Sequence, residues 1–215
     1  MDLLGALISI IILVYSAILH EIAHGYVAER LGDPTARLMG RLTLNPKPHI
    51  DPVMSILLPL ILILGGSPII FGAAKPVPVD PFNLRDGMKD LALVSLAGPG
   101  TNLLIAIIFA LISHVLYPGA SLALIQASGL LGAILGMVIY LNLILAIFNF
   151  IPIPPLDGSK IFALLLPEKD AATYLSIGNI GMFVIFFLLL FPIGGFSLGG
   201  LMGSLLNFSL RLLGL

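Results

Sequence analysis

The sequence contains no cysteine. That excludes disulfides, thiolate zinc sites and cysteine nucleophiles together, and any metal must be held by His, Asp or Glu. Two of those are scarce as well, with 4 His and three Glu in 215 residues. Charge is in short supply: Asp, Glu, Lys and Arg make up 10% of the chain, against about 25% in a typical soluble domain. The formal net charge is −1, so there is no basic face for nucleic acid. There are also too few polar side chains to cover a surface in water. The N-terminal "MDLLGAL" has no positively charged region of the kind that opens a signal peptide.

What is present is apolar residue in long runs. The chain is 59% hydrophobic with a mean hydropathy of +1.13, which predicts an all-α polytopic membrane protein. Crossing the ~30 Å hydrocarbon core takes about 20 apolar residues. On that measure the first span runs from about Leu3 to Glu29, a helix retained rather than cleaved. Another apolar stretch, 52–74, is broken by Pro59, Gly65, Gly66 and Pro68. Further spans are expected over about Leu91–Leu116, Leu122–Phe150 and Tyr174–Phe191, with "SLGGLMGSLLNFSLRLLGL" as a possible sixth. The connections 30–51 and 75–90 are too short to fold alone, so residues 1–215 read as a single membrane-embedded domain of five to six helices.

The placement of Lys and Arg sets the orientation. Arg30, Arg37, Arg41 and Lys47 follow the first helix. Lys75, Arg85 and Lys89 precede the Leu91–Leu116 helix, and Lys160 and Lys169 follow "NFIPIPPLDG". The loop "YPGASLA" carries no charge. All nine basic residues fall on one side only if 52–74 dips in and returns. A re-entrant segment is therefore expected, with the N-terminus outside. Irregular backbone at membrane depth has to line a wet cavity or be buried in protein.

The first helix ends in "LHEIAHGYVAER", Leu19–Arg30, which places His20, Glu21 and His24 in a segment that otherwise belongs in lipid. Ionisable groups there are costly and usually functional. Residues i and i+4 share a helix face, so His20 and His24 can offer nitrogens to one ion. Glu21, one position on, can reach a water at that ion without ligating it. This is the content of H-E-x-x-H, two zinc ligands and a general base. Two helix-end histidines satisfied by carbonyls or water would be the bland alternative, but burial of Glu21 argues against it. At ~1.5 Å per residue the histidines lie roughly 8 to 15 Å below the basic-side surface, so a water-filled cavity is required.

Catalytic zinc usually takes three protein ligands and leaves a fourth position open. Glu29 and Asp33 lie at the interface, and His114 is about a membrane thickness away. Asp157 follows a proline-broken helix end on the histidines' side. Topology selects Asp157, with His49 and Asp51 in reserve.

"HEIAH" in a membrane helix, then "AGPGTN", then "NFIPIPPLDG" resemble the signatures of the site-2 protease family of intramembrane zinc metalloproteases: H-E-x-x-H, a G-P-x-x-N helix and N-x-x-P-x-x-x-L-D-G. Asn149, Pro152, Leu156, Asp157 and Gly158 match the last of these. The resemblance implies one Zn2+ per chain on His20, His24 and Asp157, with Glu21 as general base. It implies Asn149 beside the substrate backbone and Asn102 facing the site, although interhelical hydrogen bonding is the ordinary use of such amides. It also implies a small β-hairpin or re-entrant element near the active site on the cytosolic side, in a prokaryotic plasma membrane. PDZ-like or other regulatory domains are not expected in these residues.

The function these residues predict is hydrolysis of transmembrane protein substrates by a zinc-activated water. The substrate helix must unwind locally, because its carbonyls are held in i to i−4 bonds. An unwound segment would pair with an exposed strand. The alternating Leu42 and Leu44 of "GRLTLNP" form either that edge or an amphipathic interfacial loop. A divalent-metal transporter or a metal-binding scaffold without proteolysis is the alternative, but neither needs a base beside two ligands.

Overall fold

The computed structural model describes residues 3–57, 61, 64 and 74–215. Helix α1 (Leu3–Leu31) has 29 residues, about 43 Å at ~1.5 Å per residue. It is therefore longer than the ~30 Å hydrocarbon layer, and its last turn carries Arg30 to the interface. A one-turn helix, α2 (Thr35–Leu38), follows. Next come α3 (Gly87–Leu116), α4 (Leu122–Ala127), α5 (Leu130–Asn149) and α6 (Asp157–Ala163). The chain ends with α7 (Glu168–Ser176), α8 (Gly178–Leu190) and α9 (Leu198–Leu212).

Among the described residues three helices, α1, α3 and α5, are long and apolar enough to cross a membrane. A fourth span arises if α7 and residues Ile180–Leu190 of α8 count as one, bent by 69°. The protein is a multi-pass membrane protein, but five to six full spans are not found among the described residues. The expected run Leu122–Phe150 still supplies one span, α5, although it is divided at Ser128–Gly129, where Gly129 has φ 107°, a conformation that side chains with a Cβ rarely adopt. The shortfall lies further along: the expected Tyr174–Phe191 span is bent, and helix α9 has 15 residues, about 22 Å, too short to cross.

Small residues bring the spanning helices together, as expected where packing rather than water exclusion drives association. Ala106 and Ala110 of α3 pack with Ile139 and Leu143 of α5 and with Leu206 of α9. Ser9 and Ser16 of α1 meet Met137 and Asn142 of α5, so these helices run parallel. His20 and His24 meet Asn102 and Val94 of α3, so α1 and α3 run antiparallel. Opposite these contacts, Leu4, Leu7, Ile11 and Val14 of α1 and Leu104, Ile108 and Leu111 of α3 stay exposed, as lipid-facing residues do.

The connection from α1 to α3 leaves and returns at the same end of α1. The backbone N–H of Arg85 donates to Leu31 O at 3.3 Å, and Leu84 packs with Ala28 and Val94. Asp33, buried after the end of α1, staples this junction. Its carboxylate accepts from Thr35 N at 3.1 Å, Thr35 Oγ1 at 2.5 Å, Asp80 N at 2.7 Å and Asn83 Nδ2 at 3.0 Å. The expected re-entrant segment falls largely on 58–73, of which only 61 and 64 are among the described residues.

The expected β-hairpin does not form among the described residues. Residues 42–44 and 46 are bends, and 41–46 form no ladder. The side chains here compete with strand pairing: Thr43 Oγ1 accepts from Asn45 N at 3.2 Å, Asn45 Oδ1 from Lys47 N at 3.1 Å, and Thr43 O from His49 Nε2 at 2.9 Å. Pro46 and Pro48 lack the N–H a ladder needs. Leu42–Leu44 is accordingly a loop, the second of the two forms left open for it.

Candidate metal centre

Three ligand-type atoms from two distant parts of the chain converge near the basic end of α1. His20 Nε2 and His24 Nε2 are 3.0 Å apart. Asp157 Oδ2 lies 3.2 Å from the first and 3.1 Å from the second. All three residues are buried. Among the described residues this is the one His/Asp/Glu group with the spacing of a metal site.

The i, i+4 spacing on α1 supplies the histidine pair. Asp157 is delivered by the turn after α5 and by the close seating of α6. A Cβ on Gly158 would fall 2.2 Å from Phe150 O, so only glycine after Asp157 lets α6 start against the end of α5. Tyr174 OH donates to Pro152 O at 2.6 Å, and Ile151 and Leu156 pack with Ile185 and Leu198. Lys160, one turn along, pairs with the other oxygen, Asp157 Oδ1, at 3.2 Å.

The donor chemistry fits zinc. The Nδ1 of His20 faces Asn102 Oδ1 at 2.6 Å, and that of His24 faces Val94 O at 2.7 Å. Both partners only accept, so each Nδ1 carries the hydrogen and each neutral ring turns its Nε2 lone pair inward. Two lone pairs and a carboxylate oxygen then face one another, which is unfavourable without a cation between them. Tetrahedral ligands ~2.0 to 2.2 Å from zinc stand about 3.3 to 3.6 Å apart, a few tenths of an ångström more than the separations here. The helix backbone of α3 also makes room, because a Cβ on Gly98 would lie 2.4 Å from His24 Nε2 and 2.5 Å from His20 Nε2.

The group lines a cavity of about 460 Å³ that also touches Glu21, Val77, Asn149 and Lys160. Glu21 Oε2 accepts from Val77 N at 2.6 Å, from an extended segment, 74–80, whose Pro76 and Val79 form part of the same wall. Asn149 reaches the cavity while its Nδ2 donates to Leu145 O of its own helix at 2.9 Å. Asn102 does not line the cavity. It is fully buried on the far side of the His20 ring. The reserve ligands are not brought in: His49 bonds Thr43 O, and Asp51 Oδ1 accepts from Val53 N at 2.8 Å. Glu29 pairs with Arg37, and His114 Nε2 donates to Leu213 O at 2.6 Å.

Sequence reasoning missed the parts played by Gly98, Val77, Lys160 and Asn142. The last was detectable, as an amide inside the apolar run "YLNLILAIF".

Residues 120–192 match peptidase family M50. Over 191 residues the chain is 39% identical to the Bacillus subtilis protein named "Putative zinc metalloprotease YwhC", covering 88% of this chain and 83% of that one. It is 32% identical over 174 residues to "Putative zinc metalloprotease Rip2" of Mycobacterium tuberculosis, covering 81% of this chain and 62% of that one. No solved structure gives a significant match. With a converging His, His, Asp site inside a bundle of apolar helices, the chain belongs to peptidase family M50, the site-2 proteases, and is a zinc metallopeptidase.

Proposed function

We propose that residues 1–215 act as one membrane-embedded unit that cleaves transmembrane protein substrates inside the bilayer, with zinc held by His20, His24 and Asp157. The observation that carries this is the convergence of His20 Nε2, His24 Nε2 and Asp157 Oδ2 within 3.2 Å of one another, on a cavity they share with Glu21. Zinc, when bound, supplies Lewis acidity and makes a water more acidic.

Each protein group has a stated part. Glu21 takes a proton from the attacking water and delivers it to the leaving amine nitrogen. The Val77 N–H holds one Glu21 oxygen at 2.6 Å, which aims the other into the cavity. Asn149 steadies the substrate backbone from the cavity wall, and Asn102 acts behind His20, holding the imidazole. Apolar wall residues such as Val77, Val79 and Leu91 suit an unwound segment of a membrane helix better than a charged peptide. The basic residues favour an outside N-terminus and a cavity opening toward the cytosol of a prokaryotic cell.

The test combines metal content with product mapping. Wild-type protein in vesicles is expected to hold near-stoichiometric zinc after dialysis against a weak chelator, and Asp157→Ala to lose it. Co-reconstituted with a single-span substrate, the wild type should yield fragments whose new ends map within the apolar span. Ends confined to the flanking polar residues would overturn the intramembrane assignment.

A further inference from the structure

Three polar side chains behind the zinc centre form one directed chain. Ser16, Asn102 and Asn142 come from α1, α3 and α5 and are buried to 5%, 0% and 0% exposure. Asn142 Nδ2 donates to Val138 O at 2.9 Å and to Ser16 Oγ at 2.9 Å. Its Oδ1 therefore faces Asn102 and accepts from Asn102 Nδ2 at 2.9 Å. That amide also donates to Ser16 O at 3.4 Å. Asn102 Oδ1 is left to accept from His20 Nδ1 at 2.6 Å.

We infer that Asn142, which touches neither metal nor cavity, is a positioning residue for the zinc centre: it fixes which way the Asn102 amide points and so which His20 nitrogen is free to bind metal. The polarity starts at the Val138 carbonyl. A backbone oxygen can only accept, so the NH2 of Asn142 must face it. Each amide then hands the same orientation on. A flipped Asn102 would present its NH2 to His20 Nδ1, and the ring would have to carry its hydrogen on Nε2, where the zinc belongs. In a membrane interior no water corrects the error, because an unpaired amide there is itself costly. This rests on His20 being a zinc ligand.

Removing partners behind a metal-bound histidine typically weakens metal binding about 10- to 100-fold. The experiment measures zinc affinity by chelator competition, together with the visible spectrum of the cobalt-substituted protein and thermal stability. Asn142→Leu should weaken zinc binding about 10- to 100-fold and shift the cobalt spectrum. Asn142→Asp keeps an acceptor for Asn102 and loses the donor to Val138. It should lower thermal stability yet leave zinc affinity within about threefold of wild type. Ser16→Ala leaves Val138 O in place and should also stay within about threefold. Should Asn142→Leu not fold, Asn142→Ala, which also removes the acceptor for Asn102 Nδ2, takes its place with the same expected loss of about 10- to 100-fold.

Unchanged zinc affinity and cobalt spectrum in Asn142→Leu would overturn the inference while leaving the zinc ligands standing. So would a loss in Asn142→Asp or Ser16→Ala in step with stability, which would mark a merely structural network. A wild type that takes up neither zinc nor cobalt would overturn the ligand assignment and this inference with it.

Discussion

Gly98 sits directly against His24: a Cβ at this position would fall 2.4 Å from the His24 Nε2 that faces the metal centre, and 2.5 Å from that of His20. The backbone of α3 is part of the cradle. Gly98→Ala places a methyl where the ion belongs, while the helix itself gains, since alanine is about 1 kcal/mol better than glycine in a helix interior. The variant is expected to fold and insert normally and to retain little or no zinc. Metal analysis beside a thermal melt checks it, and full zinc occupancy would show that α3 can retreat.

Glu21→Gln separates binding from chemistry. Glu21 is not one of the three converging atoms, and an amide oxygen can still accept the Val77 N–H. Zinc content should match wild type. Proteolysis should fall by about 10² to 10⁴, the usual contribution of a general base. A rate within a few-fold of wild type would remove Glu21 from the role of base.

Much of the site was legible because its chemistry is carried by rare residues at fixed spacing. His20, Glu21 and His24 are neighbours on one helix, so the i, i+4 rule sufficed for them. Asp157 needed topology as well: the choice of one basic side for α1 and for "NFIPIPPLDG" set it apart from His114, while His49 and Asp51, in the basic loop, stayed in reserve until the structure placed them elsewhere. Contacts made by backbone were not legible. Gly98 acts by lacking a side chain, and Val77 acts through an N–H that any residue but proline carries. At Leu42–Leu44 the sequence left strand and loop both open. Alternation promises a strand only if the backbone is free to pair, and Thr43, Asn45 and the prolines take those groups into local turns. The span count was too high because hydropathy registers neither a bend such as the one between α7 and α8 nor the short length of α9.

Asp33 should give the fold a carboxylate-dependent loss of stability in acid. Burial opposes ionisation of its carboxyl, but donors from Thr35, Asp80 and Asn83 outweigh it and hold the group below the usual range. A depressed folded value means the stabilisation is complete above the unfolded pKa of ~3.9 and is lost as pH falls through the lower folded value. Asp33→Asn puts an NH2 against one of these donors and should cost about 1 to 3 kcal/mol at neutral pH. The gap between the two proteins should narrow as both are acidified below about pH 4. Thermal unfolding across that range tests it, and a gap independent of pH would remove Asp33 as the titrating group.

The absence of cysteine makes orientation directly measurable. Lys89, in the first turn of α3, and Pro118, just past its other end, both have exposed side chains. If the basic residues mark the inner face, an impermeant thiol reagent should label Pro118→Cys in intact cells. Lys89→Cys should be labelled only after the membrane is opened. Because α1 and α3 are antiparallel and the connection between them returns to the same end of α1, this one pair also fixes the sidedness of the zinc cavity. Labelling of Lys89→Cys in intact cells, with Pro118→Cys protected, would invert the whole bundle. It would open the cavity outward and would require substrates to reach the centre from the other face of the membrane.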